Sequence, residues 1–364
     1  MRFVIAAGGT GGHLFPGLAV GEILLARGHE VMLLISEKEI DAIATEGRTG
    51  FRIERLAGVA MPKLFSPAIV GFALRFWKGL RRCKALFREW RPAAVLGMGG
   101  FTSTAPILAG RSRKIPTFVH ESNAIPGRAN RLNARYVTKV LLGFAECARH
   151  FPNAKCEVTG TPIRSALTGR VDKTAALAAF GLKPGRTTML VMGGSQGAHG
   201  INSAVGNAVP KLKAHSWQVI HLAGAQDEQA MHATYEREGI PAAVAAFHHR
   251  MEEAYGASDL AVARSGAASL AELSHFGLPA ILIPYPHAAD DHQMANARIF
   301  ENAGAGVLLK ESDATADALA EEITALIADP ARLATMSQRS RQLAPDNAAA
   351  RVADVVLQSC KPNP

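Results

Sequence analysis

This chain has little cysteine, few aromatic residues and no long apolar run. Its four cysteines, Cys83, Cys147, Cys156 and Cys360, share no CxxC or metal-ligand spacing. That excludes a disulfide framework and fits the scattered thiols of a reducing compartment. No stretch reaches the roughly 18 apolar residues of a membrane span. The run Phe3 to Ala7 is too short for a signal peptide and meets glycines at once, so a cytoplasmic protein is expected. No lysine follows a glycine cluster as GxxxxGK[ST], which excludes a Walker loop. A GxGxxG dinucleotide fingerprint fails too, because Leu14 stands where the third glycine belongs. Glu37 is a poor ribose acid for such a site, since it lies in "SEKEID", which reads as a solvated helix start. Low-complexity segments and short-period repeats are also missing.

What remains is an ordinary globular composition in 364 residues, with 48% hydrophobic and 20% charged residues. Two domains are the expectation at this length. Charge is unevenly shared. Residues 1–165 hold 24 Lys and Arg against 11 Asp and Glu, a balance of +13; residues 166–364 hold 16 against 20, a balance of −4. An anionic partner is expected on the first half. Short apolar runs alternate with helical patterns: "RFVIAA", "EVMLLI", "AAVLGM", "PTFVH" and "KVLLG", then "TTMLVMGG", "QVIHLAG", "AVAAF", "LAVARS" and "PAILIP". Unbroken apolar strands between helices predict parallel sheets covered on both faces, in two doubly wound, Rossmann-like α/β domains. The first spans 1–163, the second 164–342. The helical tail in 343–364 is expected to pack back onto the first.

Three Gly-Gly pairs end strands, at Gly8-Gly9, Gly99-Gly100 and Gly193-Gly194. Ligands of open α/β sheets sit at such ends, and a following helix offers N–H groups to an anion. The stretch "ARSGAASLAELSHFGLPAILIPYP" adds a turn that suits a diphosphate, with Ser265 as its helix cap. Glu272, about two turns on, suits the two hydroxyls of a ribose. Gln293 and Asn296, three apart, share a helical face and suit a sugar. Asp290 and Asp291 lack a DxD pattern and a third ligand, so neither a metal nor another cofactor is expected.

Seven motifs in order, "GGTGGHLFPGLAV", "GMGGFTSTAP", "HESNAIPGRAN", "GTPIR", "GGSQGA", "RSGAASLAE" and "DDHQMANA", resemble the MurG family of GT-B glycosyltransferases over essentially the whole chain. The family usually has glutamine at Ser122 and often tyrosine at Phe101. The resemblance implies two domains facing across a cleft. It implies transfer of N-acetylglucosamine (GlcNAc) from UDP-GlcNAc to lipid I, the undecaprenyl-pyrophosphoryl muramyl pentapeptide, making lipid II for peptidoglycan. It implies that Glu272 binds the ribose, that backbone at Phe247 and His248 reads the uracil, and that Arg164 and Arg264 support the nucleotide. Ser195 and the segment Ala267, Ala268, Ser269, Leu270 and Ala271 would hold the donor, chiefly its phosphates. Gln293, Asn296 and Asn123 would touch the sugar, while Thr10, Gly11 and Gly12 would take the acceptor's diphosphate.

Inverting transfer needs a base for the acceptor hydroxyl. An imidazole with its pKa near 6.5 suits that task, which makes His13 the first candidate and Glu121 its rival or orienting partner. His120 reads as structural.

Between Pro62 and Arg88 lie seven basic residues and no acidic one. "AIVGFALRFWKGLRRCKALFR" reads as a helix. Ile69, Phe72, Phe76, Leu80, Cys83 and Phe87 make its core stripe. Val70, Leu74 and Trp77 make a second stripe beside Lys78 and Arg81, suited to an anionic membrane surface. A peripheral enzyme on the cytoplasmic face of a bacterial inner membrane is expected, with no nucleic acid partner. Alternatives are a GT-B enzyme acting on another lipid, a UDP-GlcNAc epimerase, and a nucleotide-sugar binder without turnover.

Overall fold

The computed structural model describes residues 1–9, 11–37, 41, 45, 47–57, 68–194, 197–212, 216–345 and 347–360. The chain divides into two compact units, Met1–Ser165 with Pro345–Pro364, and Ala166–Ala344.

Unit 1 is built on β1 (Arg2–Ala6), β2 (Glu30–Ser36), β3 (Phe51–Leu56), β4 (Ala94–Gly97), β5 (Thr117–Glu121), β6 (Lys139–Leu142) and β7 (Cys156–Val158). Among its helices are α1 (Gly11–Ala26), α2 (Ala68–Trp90), α3 (Thr104–Ser112) and α4 (Arg128–Asn133). The strands are parallel, in the order β3-β2-β1-β4-β5-β6-β7. Unit 2 has β8 (Thr187–Met192), β9 (Trp217–Leu222), β10 (Ala242–Ala245), β11 (Leu260–Ala263), β12 (Ala280–Leu282) and β13 (Gly306–Leu308). They too are parallel, in the order β10-β9-β8-β11-β12-β13. Its helices are α5 (Lys173–Ala179), α6 (His199–Ala208), α7 (Glu228–Glu238), α8 (Met251–Ala257), α9 (Ala267–Phe276), α10 (His292–Asn302), α11 (Ala316–Ile327) and α12 (Pro330–Leu343).

All ten apolar runs form strands. Three strands were not foreseen: β3, β7 and β13, each at the edge of its sheet. An edge strand lacks a neighbour on one side, so its sequence need not be continuously apolar. β3 shows this, with Arg52, Glu54 and Arg55 in "FRIERL".

In each unit the strand order reverses beside the first strand, between β1 and β4 and between β8 and β11. Such switch points leave a crevice at the carboxyl ends of the strands. Gly8-Gly9 and Gly99-Gly100 follow β1 and β4, Gly193-Gly194 follows β8, and Arg264 to Gly266 follows β11.

The tail forms α13 (Ala348–Gln358). Its Val352, Val355 and Val356 are buried in the same cluster as Phe3 and Ile5 of β1 and Leu14 and Leu18 of α1. Each valine so buried contributes about 1.5–3 kcal/mol, and an aspartate at Val352 would break the contact.

Candidate functional site

In unit 1 the turn after β1 is held from beneath by Asp41, a fully buried carboxylate. Its Oδ2 accepts from the N–H groups of Gly9 (2.8 Å) and Ser36 (3.1 Å) and from the Ser36 hydroxyl. A Cβ on Gly8 would lie 2.6 Å from the Ser36 nitrogen. On Gly9, at φ +94°, it would meet no described heavy atom within 4 Å. Gly193 and Gly194 repeat the arrangement: a Cβ on the first would lie 2.2 Å from that of Ala198, and one on the second, at φ +105°, would meet no described heavy atom within 4 Å. One glycine of each pair is required by packing; the other leaves room for a ligand.

Gly99-Gly100 corrects the reading of three equivalent loops. A Cβ on Gly99, at φ +113°, would lie 2.8 Å from His13 Nε2, and one on Gly100 would lie 3.5 Å from His13 Nδ1. This pair is the seat of the His13 imidazole. His13 stands in the first turn of α1, half-buried. Burial lowers its pKa below the ordinary 6.5, while the negative charges of Glu121 and Asp41 oppose that shift.

Glu121 ends β5 and is 4% exposed. Its Oε1 accepts from the backbone N–H (3.0 Å) and side-chain amide (3.1 Å) of Asn123. Its Oε2 accepts from the Gly127 N–H (3.0 Å) and the Asn130 amide (2.9 Å). Four donors therefore fix the carboxylate and the loop after it. His120 is fully buried, donates from Nε2 to the Gly160 carbonyl (2.9 Å) and lies 3.3 Å from the Ser122 hydroxyl. Burial lowers its pKa too, which keeps it neutral and structural. Arg164 lies over the Phe15 ring of α1, 5.2 Å from the centroid. Gly11 and Gly12 open α1. Thr10 and Ser195 lie outside the described residues.

In unit 2 the turn after β11 departs from expectation. Gly266, not Ser265, is the N-cap of α9, and among the described residues no side chain caps this helix. Its first-turn N–H groups, from Ala267 onward, keep the partial positive charge that suits a phosphate. Ser265 is fully buried. Its hydroxyl donates to the Gln293 carbonyl (2.8 Å) and its own carbonyl accepts from the Asn296 amide (3.0 Å). Asn296 is therefore placed beneath the turn, fully buried, rather than on the surface that would touch a sugar. Gln293 is half-buried, and its Oε1 accepts from the Tyr285 N–H at 3.0 Å.

Arg264 is 9% exposed. It donates to the carbonyls of Ile283 (3.0 Å) and Pro284 (3.2 Å), pairs with Glu311 and lies over the Tyr285 ring. Its guanidinium braces the loop from behind instead of reaching outward. Ala268, Ser269 and Ala271 are half-buried, whereas Ala267 and Leu270 are buried. Glu272 is half-buried and accepts a 2.6 Å hydrogen bond from the Tyr255 hydroxyl. Phe247 is 47% exposed. His248 is occupied: its Nε2 lies 3.1 Å from Glu253 Oε2, and its ring packs 4.8 Å from that of Phe180. At His248 the backbone, rather than the imidazole, is left to offer. Asp290 and Asp291 have left-handed backbone, and no metal-capable cluster occurs among the described residues.

Along α2, Cys83, Leu86 and Phe87 are buried and Phe76 and Leu80 pack against the same core. Val70 (64%), Leu74 (57%) and Trp77 (53%) are exposed, with the Arg81 guanidinium 4.7 Å over the Trp77 ring. Lys78 is exposed, and Phe72 meets the Phe101 ring edge-on at 6.1 Å. No helix among the described residues is long and apolar enough to cross a membrane.

Asp41, Tyr255 and Glu311 were not foreseen. Asp41 sits in the run that reads as solvated, and Tyr255 in a short helix where an aromatic reads as core.

The sequence matches the glycosyltransferase family 28 N-terminal domain over residues 3–142 and the family 28 C-terminal domain over 188–354. It is 38% identical over 365 residues, 99% of both chains, to the Geobacter sulfurreducens UDP-N-acetylglucosamine--N-acetylmuramyl-(pentapeptide) pyrophosphoryl-undecaprenol N-acetylglucosamine transferase. Among solved structures, Acinetobacter baumannii MurG is similar with a TM-score of 0.79 and 26% identity, covering 98% of this chain and 99% of that one. The Neisseria meningitidis UDP-GlcNAc 2-epimerase bound to UDP-GlcNAc has a TM-score of 0.70 at 13% identity, over 98% of this chain and 100% of that one, a likeness of fold alone.

Proposed function

This chain belongs to the MurG family of glycosyltransferases, and on that premise we propose that it transfers GlcNAc from UDP-GlcNAc to lipid I, making lipid II. The observation that carries this is identity over the whole length, 38% across 99% of both chains, to a transferase named for that reaction. The epimerase alternative has only the shared fold behind it.

His13 is the general base. Burial keeps its imidazole neutral, so it can take the proton of the attacking hydroxyl. The carboxylates of Glu121 and Asp41 then favour the imidazolium that forms. Glu121, with both oxygens already accepting, acts through its charge and by fixing its loop. As the sugar is attacked on the face opposite UDP, negative charge grows on the diphosphate. The uncapped first turn of α9 meets that charge, and the step calls on no metal. The exposed apolar residues of α2 and their cations hold the enzyme at an anionic cytoplasmic leaflet, where a lipid acceptor resides.

Release of UDP from UDP-GlcNAc tests the reading. It should require a lipid I analogue and persist in chelator. Equal release without acceptor, or conversion of UDP-GlcNAc to its C2 epimer, would refute it.

A further inference from the structure

Helix α8 reaches both Glu272 and His248. Tyr255 and Glu253 are two residues apart, about 200° around a helix, so they face opposite ways. On one side the Tyr255 hydroxyl donates to Glu272 Oε2 at 2.6 Å. On the other, Glu253 Oε2 lies 3.1 Å from His248 Nε2, while its Oε1 pairs with Arg250 at 2.9 Å. Tyr255 itself cannot wander. It is 2% exposed, its ring stacks on Phe276 at 5.1 Å, and its hydroxyl lies 3.7 Å from the sulfur of Met192, at the end of β8.

We propose that α8 positions both halves of nucleoside recognition: Tyr255 fixes the Glu272 carboxylate for the ribose hydroxyls, and Glu253 fixes the Phe247-His248 turn for the edge of the base. This rests on the reading of unit 2 as the UDP-GlcNAc site. A half-buried glutamate on a helix has several rotamers, and holding it in one lowers the ordering cost of binding. A phenol donating to an ionised carboxylate is a charge-assisted bond, strong enough to select a rotamer. Each carboxylate oxygen can accept more than one hydrogen bond, so Oε2 can hold Tyr255 and still face a ribose hydroxyl. Glu253 acts likewise on the base side. By holding the His248 imidazole against Phe180 it sets the direction of the backbone groups at the turn. Tyr255 and Glu253 are positioning residues and touch no substrate.

The test is calorimetric titration of the full chain with UDP, 2′-deoxy-UDP and CDP. Wild type should prefer UDP to 2′-deoxy-UDP by about tenfold or more, the worth of a hydrogen bond to a charged group. Tyr255→Phe keeps the ring and removes only the hydroxyl. It should raise the Kd for UDP about tenfold and shrink the UDP to 2′-deoxy-UDP ratio, leaving the UDP to CDP ratio as it was. Glu253→Gln should do the reverse, relaxing uracil over cytosine and sparing the ribose preference. Weaker binding with both ratios unchanged would mean that these residues only support the fold, and would overturn the proposal, as would unchanged affinity. If Glu272→Ala also bound UDP normally, the nucleotide site itself would be misplaced, a failure distinct from that of α8.

Discussion

The two units share one strand order over six strands, with β7 a seventh in unit 1, and use the polar residues of their sites in opposite ways. Unit 1 buries them. Asp41, His120, Glu121 and Asn130 are all at most 4% exposed, and they surround one half-buried imidazole. Unit 2 leaves Glu272 and Gln293 nearer the surface and braces that rim from below with Tyr255, Arg264 and Asn296. A group that must move a proton gains from a desolvated setting with fixed charges nearby. A group that must hold a ligand has to be reachable, and gains from being fixed before the ligand arrives. Topology supplies the same crevice twice; the residues around it decide the task. The charge balance follows the division, at +13 for residues 1–165 and −4 for the rest.

Four measurements would break or sharpen this contrast. The largest effect is expected at the buried site. His13→Ala should lower kcat by about 10²–10⁴ with UDP affinity nearly unchanged by calorimetry; near-normal turnover would assign the proton elsewhere. Next comes the accessible site. Glu272→Ala should weaken UDP-GlcNAc binding by about 1.5–3 kcal/mol, read as a higher KM with kcat less affected.

The third effect belongs to unit 1 alone. Reversing Lys78 and Arg81 to glutamate should cost at least about 1 kcal/mol of vesicle binding per cation, seen by sedimentation with anionic lipids at low salt and fading at high salt. Trp77→Ser should remove a part that salt does not change. Turnover of a soluble acceptor should survive both, and equal binding by all variants would place the membrane contact elsewhere.

The smallest effect is in pH. Burial disfavours the His13 imidazolium, so the acid limb of kcat/KM should fall below pH 6.5. Glu121 opposes that shift, so Glu121→Gln should move the limb lower still. A limb moving upward would mean that a different group titrates.

The central strands were legible because burial on both faces leaves short unbroken apolar runs bounded by turn residues. Edge strand β3 was hidden by Arg52, Glu54 and Arg55, which form ion pairs or face solvent at the sheet margin. Within the sites, a residue's type could be read but not the direction of its hydrogen bonds. Asn296 and Gln293 share a helical face, yet one is sealed under Ser265 and the other is half-buried. Arg264 suits an anion by charge, and its donors go to carbonyls of the loop after β12. Tyr255 finds its partner seventeen residues away on the next helix, α9, with β11 between them, a contact that no local pattern announces.

Helix α13 has a consequence for how this protein is made. The core of unit 1 includes Val352, Val355 and Val356, although the rest of that unit ends at Ser165. A ribosome therefore releases the whole of unit 2 before the last piece of unit 1 exists. Until α13 emerges, the flank of β1 and α1 that it covers is open to water, while the chain of unit 2 is already complete. A message cut short before the codons of α13 would yield a chain with unit 2 complete and unit 1 exposing an apolar face, the kind of surface that chaperones and proteases engage first.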